Sequence, residues 1–238
     1  NEPETGIPYA FMNGTYITSS RTGASVAIMA KYLARKNSKT FTIIGAGVQG
    51  LSSFIMIKTI IPTIKEVRVV DISLEAQDKF IQDAKKQFPD VKFIKMNNIQ
   101  ESCTGSQIIV VAATSPKSLL IDIKLDNGTT VLCIEEYITD KLTKKFDSVF
   151  VDFTDCFIER TNETNKHNSG SNWDPDDEIT KSTISGEIGD VITGKLEGRK
   201  NDKEIIMASP VGMGIQDIIV ADFAYQKALE SNQGVMLQ

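Results

Sequence analysis

The chain has 238 residues, 41% of them hydrophobic and 24% charged, with a formal net charge of −5. That is the composition of an ordinary soluble globular protein, long enough for one large domain or one and a half smaller ones. The acidic balance argues against a nucleic-acid partner, which needs clustered Lys and Arg; Lys85-Lys86 and Lys144-Lys145 sit beside acids and read as solvated helix faces. No run reaches the roughly eighteen apolar residues of a membrane span. The acidic, turn-like opening "NEPETGIP" is not a signal peptide. Cys103, Cys133 and Cys156 are far apart with no CxxC, which suits free thiols in a reducing cytosol. The lone His167 lies in a polar stretch and reads as a solvated loop residue, so neither a metal cluster nor a histidine base is expected.

In chain order, "NEPETGIPYAFMNGTYITSSRTGA" reads as a hairpin over Tyr9–Ile17, with turn signals at Pro3–Gly6 and Asn13-Gly14 and residues between them that alternate toward strand. A helix is expected from Thr22 to Ala34, with Val26, Met29, Ala30 and Leu33 on one face. Strand-like runs follow at Thr40–Ile44, Glu66–Val70, Val91–Ile94, Ile108–Ala113, Thr130–Ile134 and Ser148–Val151. Helical stretches at Gly50–Ile60 and Leu74–Phe88 separate the early ones, the second capped by Ser73 and stopped by Pro89. Such alternation with short connections predicts a parallel sheet covered on both faces. From Thr161 to Glu178, "TNETNKHNSGSNWDPDDE" is polar throughout and reads as a long surface loop. Beyond it, "GEIGDVITGKLEG" predicts a helix closed by Gly194, then a strand at Glu204–Ala208 and a last helix at about Ile215–Leu229.

The stretch "FTIIGAGVQG" carries the functional signal. Gly45, Gly47 and Gly50 form a G-x-G-x-x-G turn between a strand and a helix, followed by a second strand that ends at Asp71. Gly45 permits the tight turn, Gly47 lets backbone N–H groups approach a pyrophosphate, and Gly50 lets the helix lie close to the sheet. The helix N-terminus adds free N–H donors and partial positive charge. Asp71, about twenty residues past the last glycine, is positioned to accept from both adenosine ribose hydroxyls. Its carboxylate repels a 2′-phosphate, and no Arg follows it in "VVDISLEAQ", so NAD is favoured over NADP. A glycine turn used only for packing, or for S-adenosylmethionine, is the alternative.

The flanking residues then become recognisable. "SSRTGASVAIMAKYLARKNSKTFTIIGAGVQG" closely resembles the ornithine cyclodeaminase and μ-crystallin family, as do "VFVDFTDC" at Val149–Cys156, "GEIGDVITGKLEGR" at Gly186–Arg199 and "PVGMGIQDI" at Pro210–Ile218. The resemblance covers nearly the whole chain. It implies a homodimeric, NAD-dependent enzyme that exchanges a hydride at the Cα–N bond of an amino acid or imine. The implied domains are a Rossmann domain over 38–212, part of a substrate and dimerisation domain over 1–37, and a C-terminal helix over 213–238 that returns to it. By position, Arg21 grips the substrate carboxylate, a task suited to a planar bidentate donor, and Val211 lines the substrate pocket. Ala46, Val48, Gln49, Asp71 and Ile72 fall on cofactor positions, with Thr114, Ser115 and Ile134 at the carboxyl ends of later strands.

Two departures from the family pattern matter. Family chains carry a long segment before this hairpin that supplies further substrate-binding Lys and Arg, so the chain is expected either to be truncated or to lack those groups. Cyclodeaminases also carry a proton-handling Asp after the fifth strand, where "TTVLCIEEYITDKL" places Tyr137, preceded by Glu135 and Glu136. Glu136 is the candidate acid or base, with a surface glutamate as the plainer alternative. The lost Asp points away from ornithine cyclisation and toward the branch that forms 2,3-diaminopropionate. The leading reading is therefore a cytoplasmic NAD-dependent oxidoreductase of amino acids, imines or amino-acid conjugates. A cyclodeaminase-type lyase and a non-catalytic, μ-crystallin-like binding protein are the alternatives.

Overall fold

Short runs of Val, Ile and Phe become strands wherever both faces of a sheet have to be buried. The structure, a computed structural model, describes residues 1–135, 137–170 and 174–235. Its strands are β1 (Thr40–Ile44), β2 (Glu66–Val70), β3 (Lys92–Met96), β4 (Ile108–Ala112), β5 (Thr130–Glu135), β6 (Ser148–Val151), β7 (Gly186–Glu187) and β8 (Ile206–Ser209). All pair in parallel in one sheet of order β3-β2-β1-β4-β5-β8-β6-β7. The helices are α1 (Gly14–Leu33), α2 (Val48–Ile60), α3 (Leu74–Gln87), α4 (Ile99–Cys103), α5 (Asp140–Thr143), α6 (Thr154–Ser169), α7 (Ile188–Ile192) and α8 (Gly214–Glu230). This is the doubly wound arrangement expected from the alternating pattern. From β1, the chain winds outward to β2 and β3, then returns to place β4 on the other side of β1. That reversal leaves a crevice at the carboxyl ends of β1 and β4.

Side-chain alternation divides the core in two. Phe41, Ile43, Val67, Val69, Ile108 and Val110 point to one face, and Ile44, Val70, Ile109, Val111, Val131 and Val149 to the other. On the first face Phe54 of α2 meets the rings of Phe41, Phe80, Phe88 and Phe93 at centroid distances of 5.6–5.8 Å. Each such buried aromatic contributes about 2 kcal/mol or more. The C-terminal half of α1 joins the same core through Val26, Met29, Ala30 and Leu33. Arg199, from the "GEIGDVITGKLEGR" segment, ties that helix end to the sheet: Nε donates to Leu33 O at 2.7 Å, Nη2 to Thr130 Oγ1 at 2.8 Å and Nη1 to Glu204 O at 2.5 Å. Among the described residues, no helix is long and apolar enough to cross a membrane.

The structure corrects the sequence reading in two places. The hairpin over Tyr9–Ile17 does not form. Asn13-Gly14 opens a helix instead: Asn13 accepts from the Thr15 N–H at 2.8 Å as an N-cap, and α1 runs unbroken from Gly14. An Asn-Gly pair serves either role, and here the apolar face along 19–33 decides for the helix. The "loop" from Thr161 is, up to Ser169, the second half of α6. Its asparagines are anchors: Asn165 is buried and donates to Ile138 O at 2.6 Å, while Asn162 donates to Ile179 O and accepts from Ile179 N–H, both at 2.9 Å. His167 is accordingly an exposed helix residue. The Trp173 part of that stretch lies outside the described residues. Smaller shifts put the last strand at Ile206–Ser209, and at Gly186–Ile192 a two-residue strand precedes one short helix, with Gly194 closing it at φ +73°. Cys103 is buried, and burial pushes its thiol up to about 11, so it behaves as a core side chain.

Candidate functional site

The glycine turn lies in the crevice. Gly45 adopts φ +102°, and a Cβ there would come within 2.5 Å of Ala112 O, so only glycine lets β1 turn this close to the end of β4. At Gly50 a Cβ would lie 2.1 Å from Gly45 O and 3.2 Å from Ile43 Cγ1. Gly50 therefore lets α2 approach the turn itself as well as the strand beneath it. A Cβ on Gly47 would meet nothing within 4 Å, so the turn has open space on its outer side. Gly47 caps α2 without any side-chain hydrogen bond. The first N–H groups of α2 thus face that space with no intrahelical partner. These features fit a dinucleotide's pyrophosphate.

Asp71, just past β2, has a second task that the sequence did not reveal. Its Oδ2 accepts from Ala46 N–H at 2.7 Å and its Oδ1 from Ser73 N–H at 2.8 Å. The carboxylate braces the glycine turn, and each oxygen keeps a further lone pair for a ribose hydroxyl. Val48 and Ile72 are exposed beside it. Thr114 and Ser115 follow β4 just beyond the Ala112 contact, and Ser115 Oγ donates to Lys117 O at 2.7 Å.

A cleft of about 340 Å³ opens at the carboxyl edge of the sheet, next to this turn. Its walls come from α1 (Thr18, Arg21, Thr22), from Gln49 at the start of α2, from Ile134 of β5 and Pro210-Val211 after β8, and from α6 (Phe157, Arg160, Thr161). Four of the sequence candidates, Arg21, Gln49, Ile134 and Val211, meet here. Close packing of α1 on α2 brings Arg21 to this position. A Cβ on Gly23 would lie 2.5 Å from Ser52 Oγ, which donates to Ser19 O at 2.7 Å.

The guanidinium of Arg21 is oriented from behind. Its Nε donates to Asp217 Oδ1 at 3.1 Å, and among the described residues its two Nη groups have no partner. That leaves the forked edge available for a carboxylate. Arg21 Nη1 lies against Gly212, where a Cβ would come within 2.1 Å and where φ is +88°. Gly212 belongs to a loop fixed from below by Asp152, a buried residue at the end of β6. Asp152 Oδ1 accepts from Val211 N–H at 3.0 Å and Oδ2 from Gly212 N–H at 2.8 Å. Arg160 Nη1 donates to Val211 O at 2.8 Å, so two guanidinium groups meet the same dipeptide. The sequence reading missed Asp152, Arg160 and Gly212. An Asp at the carboxyl end of a parallel strand was the available signal for the first.

Among the described residues, Gln49 Oε1 is buried without a hydrogen-bond partner, an acceptor facing a polar cleft. Tyr137, which the resemblance sets at the proton-handling Asp of cyclodeaminases, has its hydroxyl bonded to Ser169 Oγ and 3.5 Å from Asn165 O. Glu136 lies outside the described residues.

A parallel sheet with a glycine turn at its point of reversal, beside a cleft with an oriented arginine, defines an α/β protein of the dinucleotide-binding class. The chain belongs to the ornithine cyclodeaminase/mu-crystallin family, whose model matches residues 1–232. It is 31% identical over 239 residues to the N-((2S)-2-amino-2-carboxyethyl)-L-glutamate dehydrogenase of Staphylococcus aureus, covering 100% of this chain and 69% of the relative. Among solved structures, it resembles Thermococcus litoralis Delta(1)-pyrroline-2-carboxylate reductase in complex with NADH and L-proline, with TM-score 0.84 and 29% identity, covering 100% of this chain and 72% of that one. An archaeal alanine dehydrogenase dimer with bound NAD gives TM-score 0.80 and 30% identity with the same coverage.

Proposed function

We propose that this protein is an NAD-dependent oxidoreductase acting on the Cα–N bond of an amino acid, an imine or an amino-acid conjugate. One observation carries the reading: the Nη edge of Arg21, without a partner among the described residues, and Gln49, a residue of the glycine turn, line the same cleft. A carboxylate binder and a nucleotide turn therefore share one cavity. NAD supplies the acceptor or donor of the Cα hydride when bound there. Gly47 and the N-terminus of α2 hold its pyrophosphate, and Asp71 its adenosine ribose, with Val48, Ile72, Thr114, Ser115 and Ile134 around them. The fork of Arg21 fixes the substrate's α-carboxylate, which orients the Cα–H bond. Gln49 Oε1 offers its unused acceptor to an N–H of the bound molecules, and Ile134, Phe157 and Val211 give the cleft apolar walls that exclude water.

The activities for which these relatives are named support this reaction class, the Staphylococcus enzyme being named for a conjugate of two amino acids. The engagement of Tyr137 with Ser169 disfavours a cyclodeaminase that relies on this position for proton transfer. The purified protein with NAD and a panel of L-amino acids should accumulate NADH, followed by absorbance. Ammonia release without net NADH would instead assign a lyase, and tight NADH binding without turnover of any substrate a binding protein.

Residues 1–37 and 213–238 are proposed as parts of a substrate and dimerisation domain around the nucleotide domain at 38–212. The support is a band of exposed apolar side chains: Phe11 and Tyr16 near the start, and Ile215, Ile218, Ile219 and Phe223 on α8, which has no buried residue. A band of this kind is an expected site of association, and a dimer is the proposed arrangement. Light scattering is expected to give twice the protomer mass; a monodisperse monomer is the opposing result. With the Cys103 and Cys156 thiols free, the protein is proposed to work in the reducing cytoplasm, where cell fractionation should recover it.

A further inference from the structure

Arg160 has no part in the mechanism above, yet it sits in the cleft wall. Its placement is defined: Nη1 is tied to Val211 O at 2.8 Å, and Asp152 in turn fixes Val211 through its N–H. Among the described residues, Arg160 has no carboxylate partner, and its other donors are unassigned. Arg21 differs, because Asp217 already balances its charge from behind. The described cleft lining contains these two arginines, several hydroxyls and amides, and no Asp or Glu. The Asp152 carboxylate beneath this loop is spent on the Val211 and Gly212 N–H groups, so the cleft side of Arg160 has no anion of its own among the described residues. A substrate with a single carboxylate satisfies only Arg21.

We propose that Arg160 is a specificity-determining residue that receives a second anionic group, so that the preferred substrate is an amino or imino acid whose side chain ends in a carboxylate. The inference rests on the reading of this cleft as the amino-acid site. Arg21 takes the α-carboxylate beside the nucleotide turn. Arg160, on α6 across the Val211-Gly212 loop, takes the distal one. The Arg21 contact is a charge-assisted hydrogen bond from a half-buried guanidinium, and the Arg160 contact is one at the exposed rim of the cleft.

Isosteric pairs that differ only in charge provide the test. In NAD-dependent oxidation, kcat/KM for L-glutamate should exceed that for L-glutamine, and L-aspartate that for L-asparagine, by about fivefold, as expected for an ion pair at an exposed guanidinium. In calorimetry with NADH present, succinate should bind tighter than succinamate by a similar factor. Arg160→Gln should abolish both preferences, the acid values falling to those of the matching amides. Arg160→Lys should retain part of them, since charge survives and the fork does not. Equal values for acid and amide, or an equal loss for both in Arg160→Gln, would overturn the inference and leave the oxidoreductase reading standing. Arg160-dependent succinate binding with no oxidation of any amino acid would support the inference while the reaction reading fails.

Discussion

Arg21→Lys is expected to lower turnover of the amino-acid substrate by about a hundredfold while NADH affinity stays within about threefold, because a small misplacement of the reacting carbon costs that much. The geometry makes the substitution informative. Asp217 holds the Nε side of Arg21, so the guanidinium plane is fixed and its two Nη groups present one fork to the cleft. A lysine ammonium keeps the charge but is a point donor on a flexible stem, with no second prong and no Nε for Asp217 to hold. The substrate still enters, and its α-carboxylate pivots. The loss therefore appears in kcat as well as in KM, which separates orientation from simple attraction. Steady-state kinetics and NADH titration on the same variant check it, and near-normal kcat would remove Arg21 from the chemistry. Glu136 remains the carboxylate proposed for proton transfer. Glu136→Gln in the same assay should lower kcat by about a hundredfold or more if it has that role; an unchanged rate would make it a surface glutamate.

The part of this site that was legible in the sequence is the part that uses local grammar. A strand, three glycines, a helix and an acid at the end of the next strand specify their own geometry, since each residue's task depends on near neighbours. Arg21 and Val211 became visible only through family resemblance, and nothing in their local sequence says that they meet. Arg160 and Asp152 stayed hidden for another reason. Their roles arise from contacts with a loop about fifty to sixty residues away, and separation of that kind leaves no periodic signal. Helix α6 illustrates the same limit: its polar half looked like a loop because Asn162 and Asn165 are ordinarily turn formers. Here they satisfy the backbone of Ile179 and Ile138. At the N-terminus, Asn13-Gly14 was read for its hairpin meaning when its capping meaning applied.

Asp71 combines two jobs, so its substitution should change two quantities at once. The unmodified protein should bind NADH about a hundredfold more tightly than NADPH, because a 2′-phosphate would face the Asp71 carboxylate across the crevice at a cost of a few kcal/mol. Asp71→Ser removes that charge and should narrow the ratio to about tenfold or less. The same substitution also weakens the turn. A serine hydroxyl can still accept from the N–H two residues on, in place of the Asp71–Ser73 bond, but it is too short to replace the Oδ2 contact with Ala46 N–H as well. The glycine turn then loses a brace worth about 1–3 kcal/mol. Absolute affinity for NADH should therefore fall about tenfold or more even as discrimination relaxes. Calorimetry with both cofactors on both proteins reads the two effects separately. A changed ratio with unchanged NADH affinity would mean that the bond to Ala46 is not needed to shape the turn. An unchanged ratio would mean that the carboxylate, committed to its two backbone N–H groups, never meets the ribose, and selectivity would have to come from another wall of the crevice.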